Sequence, residues 1–324
     1  MVTAVGRAQL VFVHGIGGVR EADQERREWL EALARGARAA GHSDSVSGVT
    51  QEWLADARFV NYSDMFRAPG EQGEADVDEE QLEFLNPLVA ELTDGLFAQA
   101  QEQGDRRAMR VIEDARAQFP DDTRALQGVL EPVRVLGRIL TTLLQLPGLR
   151  IAAQWASGTS LLGQLAQVGR YLEHAGSPPG STTLNALIRK RVLEAVDPGP
   201  QLPLVVVAHS LGSVVAYESL HHLTQSTKLF VTLGSPLATA GVVLQRVEPR
   251  PARTPHSVER WLNFWDRDDI VVCRPRITNW MLPNSQGVLP VSHRVDSDGI
   301  WVHTATKYLR QPAVAGPIVE ALKQ

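Results

Sequence analysis

Ser210 stands where a run of β-branched residues, Val205, Val206 and Val207, gives way to apolar residues at helical spacing, Val214, Val215, Tyr217 and Leu220. That change of period predicts a strand, a tight turn carrying the serine, and a helix. Two residues before and two after it stand Ala208 and Gly212, small enough to let strand and helix approach at a strained turn. A serine held this way can attack a carbonyl carbon if a histidine takes its proton and a carboxylate orients that histidine. The attack places negative charge on the carbonyl oxygen, and each preorganised backbone N–H aimed at it is worth roughly 3 kcal/mol in the transition state. Taken alone, the turn equally describes a plain strand-to-helix connection, so its reading depends on what the rest of the chain supplies.

Upstream, residues 8–13 form a short apolar run that ends in His14-Gly15-Ile16-Gly17-Gly18, a strand followed by a glycine-rich loop. The lysine and hydroxyl of a phosphate-binding Walker loop are missing. His-Gly-Ile-Gly-Gly after a first strand, together with Ala-His-Ser-Leu-Gly at the serine, resembles the small bacterial lipase and esterase branch of the α/β-hydrolase superfamily, and the core segments that carry the likeness make up about half of the chain. The resemblance implies an α/β fold with a mostly parallel sheet of about six strands. It further implies a serine hydrolase that cleaves carboxylic esters through an acyl-enzyme, needs no cofactor or metal, and uses the backbone N–H groups of Ile16 and Leu211 as its oxyanion hole. The chain order it implies is serine, acid, histidine.

Candidates for the acid and the base therefore lie after Ser210. The strand read at 228–233 ends in Gly234-Ser235-Pro236 without a carboxylate, whereas the strand at 261–265 runs into Asp266, Asp268 and Asp269. Asp266, at the strand end, reads as a turn cap or a partner of Arg267 or Arg274. Asp268 and Asp269 both precede a valine at the spacing the lipase resemblance requires, and an ungapped comparison puts Asp269 in register, with Asp268 as the alternative acid. For the base, His293 falls inside the apolar alternation of 289–295 and belongs in the last strand. His303 follows that strand, precedes Tyr308 and the final helix, and is the expected base. His14 and His209 flank the loop and the serine, where they suit supporting hydrogen bonds, and His221 and His222 are expected to face solvent. No histidine set has metal-ligand spacing.

Other elements must position these residues. Residues 21–40 read as a helix with Trp29, Leu30, Leu33 and Ala37 on one side, and 57–62 as the second strand. From 78 to 172 the chain reads as several helices divided near Gly104, Pro120 and Pro147-Gly148. The expected organisation is a hydrolase core of 1–62 and 176–324 with 63–175 inserted as a helical cap. Leu136, Ile139, Leu140, Leu143, Leu144 and Leu146 before Pro147, and Leu149, Ile151, Trp155, Leu161, Leu162 and Leu165 after it, make the cap strongly apolar. Helix packing accounts for that, and a lid or acyl-chain groove is the sharper alternative. A helix over 184–196, with Leu184, Leu187, Ile188, Val192 and Ala195 on one face, returns the chain to the serine strand.

Composition narrows the partners. A formal charge of −5 with no basic patch argues against nucleic acid. The single cysteine, Cys273, excludes an internal disulfide. Neither a signal-peptide pattern nor an apolar run of membrane-spanning length is present, so the expected location is the cytoplasm. The expected partner is a small acyl ester, with a lipid-like chain as one form. Acyl transfer, thioesterase or amidase chemistry on the same triad are the alternatives within enzymes, and a non-catalytic scaffold is the alternative outside them.

Overall fold

Six strands, all parallel, form one sheet in the order β2-β1-β3-β4-β5-β6. They are β1 (Ala8–Val13), β2 (Ala55–Val60), β3 (Leu204–His209), β4 (Thr227–Leu233), β5 (Trp261–Asp266) and β6 (Val291–Val295). The computed structural model describes residues 7–15, 21–66, 77–120, 130–146, 158–173, 182–196, 202–239, 241–266, 269, 271–272, 276–297 and 303–324. Parallel strands are covered on both faces and so read as unbroken apolar runs. Every residue of β1 and of β3 is buried.

Alternate side chains serve opposite layers, as strand geometry requires. Leu10, Phe12, Val205, Val207, Leu229 and Val231 join one core with α1 (Ala22–Ala39), α9 (Ala305–Leu309) and α10 (Pro312–Leu322). Val11, Val13, Val206, Ala208 and Phe230 join the other, with α7 (Leu184–Ala195) and α8 (Leu211–Leu220). A short helix, α2 (Val46–Thr50), precedes β2.

Between β2 and β3 come α3 (Glu79–Gln103), α4 (Arg106–Arg116), α5 (Leu130–Leu143) and α6 (Gly158–Leu172). Their boundaries have local causes. Asp78 accepts a hydrogen bond from Gln81 N to start α3, and Gly104, at φ 67°, ends it in the left-handed conformation that favours glycine. Asp105 then caps α4 by accepting from Arg107 N and Ala108 N. Leu136, Ile139, Leu140, Leu143, Leu146, Leu161, Leu162 and Leu165 are buried in the same continuous core as α7, α8 and one sheet face. Leu149, Ile151 and Trp155 lie outside the described residues. On α7, Ile188 and Val192 face inward, but Leu187, expected on that face, is 41% exposed, and Asn185 takes a buried position instead.

One buried polar tie joins the inserted helices to the serine-bearing segment. Glu218 on α8 accepts from Tyr171 Oη on α6 at 2.7 Å, from Glu248 N at 2.9 Å and from the Arg189 guanidinium on α7 at 3.2 Å. No described helix is long and apolar enough to cross a membrane.

Candidate active site

The strand order reverses direction between β1 and β3: the chain after β1 moves outward to β2, and the chain after β3 moves the other way to β4. In open parallel sheets the crevice at the carboxyl ends of such a pair is where ligands bind. Here β1 delivers His14 and Gly15, and β3 delivers Ser210.

Ser210 sits on the turn into α8 with φ 54° and ψ −131°, a backbone conformation that a residue with a side chain adopts at a cost of about 1–3 kcal/mol. Its N–H donates to Leu233 O at 3.0 Å, which ties the turn to β4. Gly212 makes the turn possible, since a Cβ there would lie 2.2 Å from His14 O and 2.4 Å from Val13 O. Leu211 is the first residue of α8, so its N–H belongs to the initial set that finds no carbonyl within the helix. The expected second oxyanion donor, Ile16, lies outside the described residues, as does the alternative acid Asp268.

Three of the expected side chains meet. His303 Nε2 is 2.9 Å from Ser210 Oγ, and His303 Nδ1 is 2.8 Å from both carboxylate oxygens of Asp269. A carboxylate only accepts, so Nδ1 carries the ring proton and Nε2 is left to accept from the Ser210 hydroxyl. That is the tautomer a general base needs. All three residues are buried, Asp269 completely.

The remaining partners of Asp269 complete the arrangement. Val271 N donates to Oδ1 at 3.0 Å, and Tyr308 Oη donates to Oδ2 at 2.7 Å. The same phenol accepts from Asp266 N at 3.1 Å. Burial, followed by the negative charge of Asp269 beside it, raises the Tyr308 pKa well above the ordinary phenol value, so the group stays protonated and donating. Each oxygen of Asp269 is thus held by more than one donor, which fixes the carboxylate against the His303 ring. Gly234 leaves space for this contact. Its φ is 54°, and a Cβ would approach Asp269 Oδ2 to 2.6 Å and His303 Nδ1 to 3.1 Å.

Neighbouring histidines support the site. His14 Nε2 accepts from Tyr62 N at 3.1 Å, its carbonyl accepts from Tyr62 Oη at 2.6 Å, and the two rings stack. The His209 ring lies 4.6 Å from that of His303. His293 is on β6, stacked against Phe264 and away from the serine. His221 departs from the solvent-facing position expected for it. It is half-buried against Tyr217 with Nε2 donating to Arg253 O at 3.2 Å, because α8 ends at Leu220 and the chain turns the ring inward.

Asp266, expected to cap the turn, accepts from Ser297 N with its carboxylate and from Asp269 N with its carbonyl. Arg267 and Arg274, its expected partners, lie outside the described residues, as does Cys273. Among the described residues no group of three or more His, Cys, Asp or Glu side chains could hold a metal ion.

Beside the His303 ring a partly open cavity of about 160 Å³ is bounded by His14, Gly15, Glu25, Glu28, Trp29, Gln164, His209 and residues 303–306. Comparison with known proteins found no matching family model, no matching curated protein and no matching solved structure.

Proposed function

We propose that the protein is a serine hydrolase of the α/β-hydrolase type that cleaves carboxylic esters. The observation carrying this reading is a single imidazole bridging a strained serine and a fully buried carboxylate, 2.9 Å from Ser210 Oγ and 2.8 Å from Asp269. His303 takes the Ser210 proton as Oγ attacks the carbonyl carbon, and Asp269 stabilises the resulting imidazolium. The Leu211 N–H, with Ile16 N–H as its proposed partner, binds the oxyanion. The imidazolium then returns its proton to the departing alcohol, leaving an acyl-enzyme. Water, deprotonated by the same histidine, attacks that acyl group, and the acid and free Ser210 are released.

The placement of Ser210 at the reversal of strand order and its positive φ support the same reading, because strain of this kind persists where the surroundings hold a side chain in place for use. The test is covalent labelling with a fluorophosphonate probe. Parent protein is expected to label and to hydrolyse aryl esters. Ser210→Ala is expected to lose labelling completely and to lose turnover by a factor on the order of 10⁶. Equal labelling of parent and variant would overturn the proposal.

A further inference from the structure

We infer that the acyl group accepted by this site is short, hydrophilic and not anionic, an inference that rests on the hydrolase reading above. Volume is the first argument. A cavity of about 160 Å³ is close to the roughly 150 Å³ of an engineered apolar cavity that takes one benzene, about six non-hydrogen atoms. It is about half the lower bound for drug-sized sites, near 300 Å³.

Position is the second argument. Gly15 backs directly onto the serine: a Cβ on it would stand 2.5 Å from Ser210 Cβ and 3.2 Å from Oγ. Gly15 and His303, which both approach Ser210, also border the cavity, so the cavity opens beside the serine, between α1, α6 and the residues following His303.

The lining is the third argument. Trp29 supplies an apolar wall, while Glu25, Glu28, Gln164, Thr304 and Thr306 bring polar groups to the cavity. Among the described residues Gln164 is the only one of the inserted helices that lines it, and the nearby apolar residues Leu161, Leu162 and Leu165 are buried in the core instead. Glu25 and Glu28 are three residues apart on α1, a spacing that puts both carboxylates on one side of the helix. Negative charge at the cavity disfavours a carboxylate on the substrate, whereas a hydroxyl or ammonium group finds acceptors there. Nothing among these side chains matches a long alkyl chain, which would lose its own hydrophobic burial and strip water from groups it cannot replace.

The experiment is an acyl series on one p-nitrophenyl leaving group: acetyl, butyryl, decanoyl, 4-hydroxybutyryl, 4-aminobutyryl and succinyl. Expected is a fall in kcat/KM of at least about tenfold from butyryl to decanoyl, the size of effect a pocket of fixed volume imposes. The hydroxy and amino esters should exceed butyryl, and succinyl should be the poorest of the short esters. Gln164→Leu is expected to raise the decanoyl to 4-hydroxybutyryl ratio at least about fivefold.

A rate that rises with chain length or is indifferent to it, a preference for succinyl, or a ratio unmoved in Gln164→Leu would overturn the inference. So would Ser210-dependent fluorophosphonate labelling without turnover of any ester in the series. In those cases labelling still upholds the hydrolase reading. Its loss from the parent protein overturns both.

Discussion

Asp269 and Glu218 are two buried carboxylates with nearly the same surroundings and opposite prospects. Asp269 is 0% exposed and Glu218 is 1% exposed. Each accepts from a buried tyrosine at 2.7 Å, Tyr308 in one case and Tyr171 in the other. Each accepts from a backbone N–H, of Val271 at 3.0 Å and of Glu248 at 2.9 Å. The difference is the third partner. Arg189 beside Glu218 keeps its charge at any pH a protein survives, so that pair can only hold helices together. His303 beside Asp269 can gain and lose a proton, and its far nitrogen faces a hydroxyl on a strained turn. Burial and a tyrosine donor therefore say nothing about chemistry until the titrating partner and what lies beyond it are known.

The largest expected separation between the two sites comes from removing each charge. Asp269→Asn should lower ester turnover by a factor on the order of 10⁴, because the amide no longer holds His303 in the tautomer that accepts the serine proton. Glu218→Gln should leave turnover per folded molecule close to the parent. Its effect is a loss of stability of about 3–5 kcal/mol in denaturant unfolding, since Arg189 is left without its counter-charge in a mostly buried position. Comparable losses of turnover in the two variants, at matched folded fraction, would break the contrast.

Smaller effects sharpen it. Tyr308→Phe and Tyr171→Phe each remove one hydrogen bond to a buried carboxylate, a loss of about 1.5–3 kcal/mol of stability, and Tyr308→Phe should cost more because it also takes an acceptor from Asp266 N. Only Tyr308→Phe should also lower kcat/KM. The Tyr308 phenol holds the Asp269 carboxylate against His303, and without it that orientation is looser. An unchanged kcat/KM in Tyr308→Phe, or a lowered one in Tyr171→Phe at matched folded fraction, would count against the assignment.

The smallest effect concerns His221. Burial, only partly offset by its hydrogen bond to Arg253 O, holds its pKa at about 4 against an ordinary value of 6.5. The unfolded chain therefore takes up this proton first as pH falls, so the contribution of His221 to stability is full above 6.5 and is lost between 6.5 and about 4. His221→Gln should flatten the dependence of the unfolding midpoint on pH across that window, and an unchanged slope would refute the burial argument.

Much of this arrangement was legible in the residues themselves. A change of hydrophobic period marks Ser210, two small neighbours mark the tight turn, and the strand runs of 8–13 and 205–207 reappear as β1 and within β3. The strands proved to be all parallel rather than mostly so. The helix boundaries at Gly104 and Thr183 were legible because caps act locally.

What escaped were contacts made across the sheet. Tyr308 was read only as a marker following His303, because no local pattern says that its hydroxyl reaches back to Asp269 and Asp266. Gly234 looked like an ordinary end of strand, since the side chains crowding it come from 35 and 69 residues further along the chain. For Glu218 periodicity shows only a helical position, and its partners on α6 and α7 are invisible to it. The apolar inserted segment suits packing, a groove or both by composition, and its described leucines and isoleucine named above are buried or packed against the core.

The distance along the chain between the proposed nucleophile and its proposed base also sets an order of events. Ser210 precedes His303 by 93 residues, which at about 5–20 residues per second is a delay of roughly 5–20 s during synthesis. Through that interval a nascent chain carries the serine, its turn and, later, Asp269, but not His303. Tyr308, whose phenol joins Asp266 N to the Asp269 carboxylate, arrives later still. On the proposed mechanism Ser210 is therefore dormant until the C-terminal segment docks, so ribosome-held chains stopped before His303 should refuse the fluorophosphonate probe that the finished protein is expected to accept.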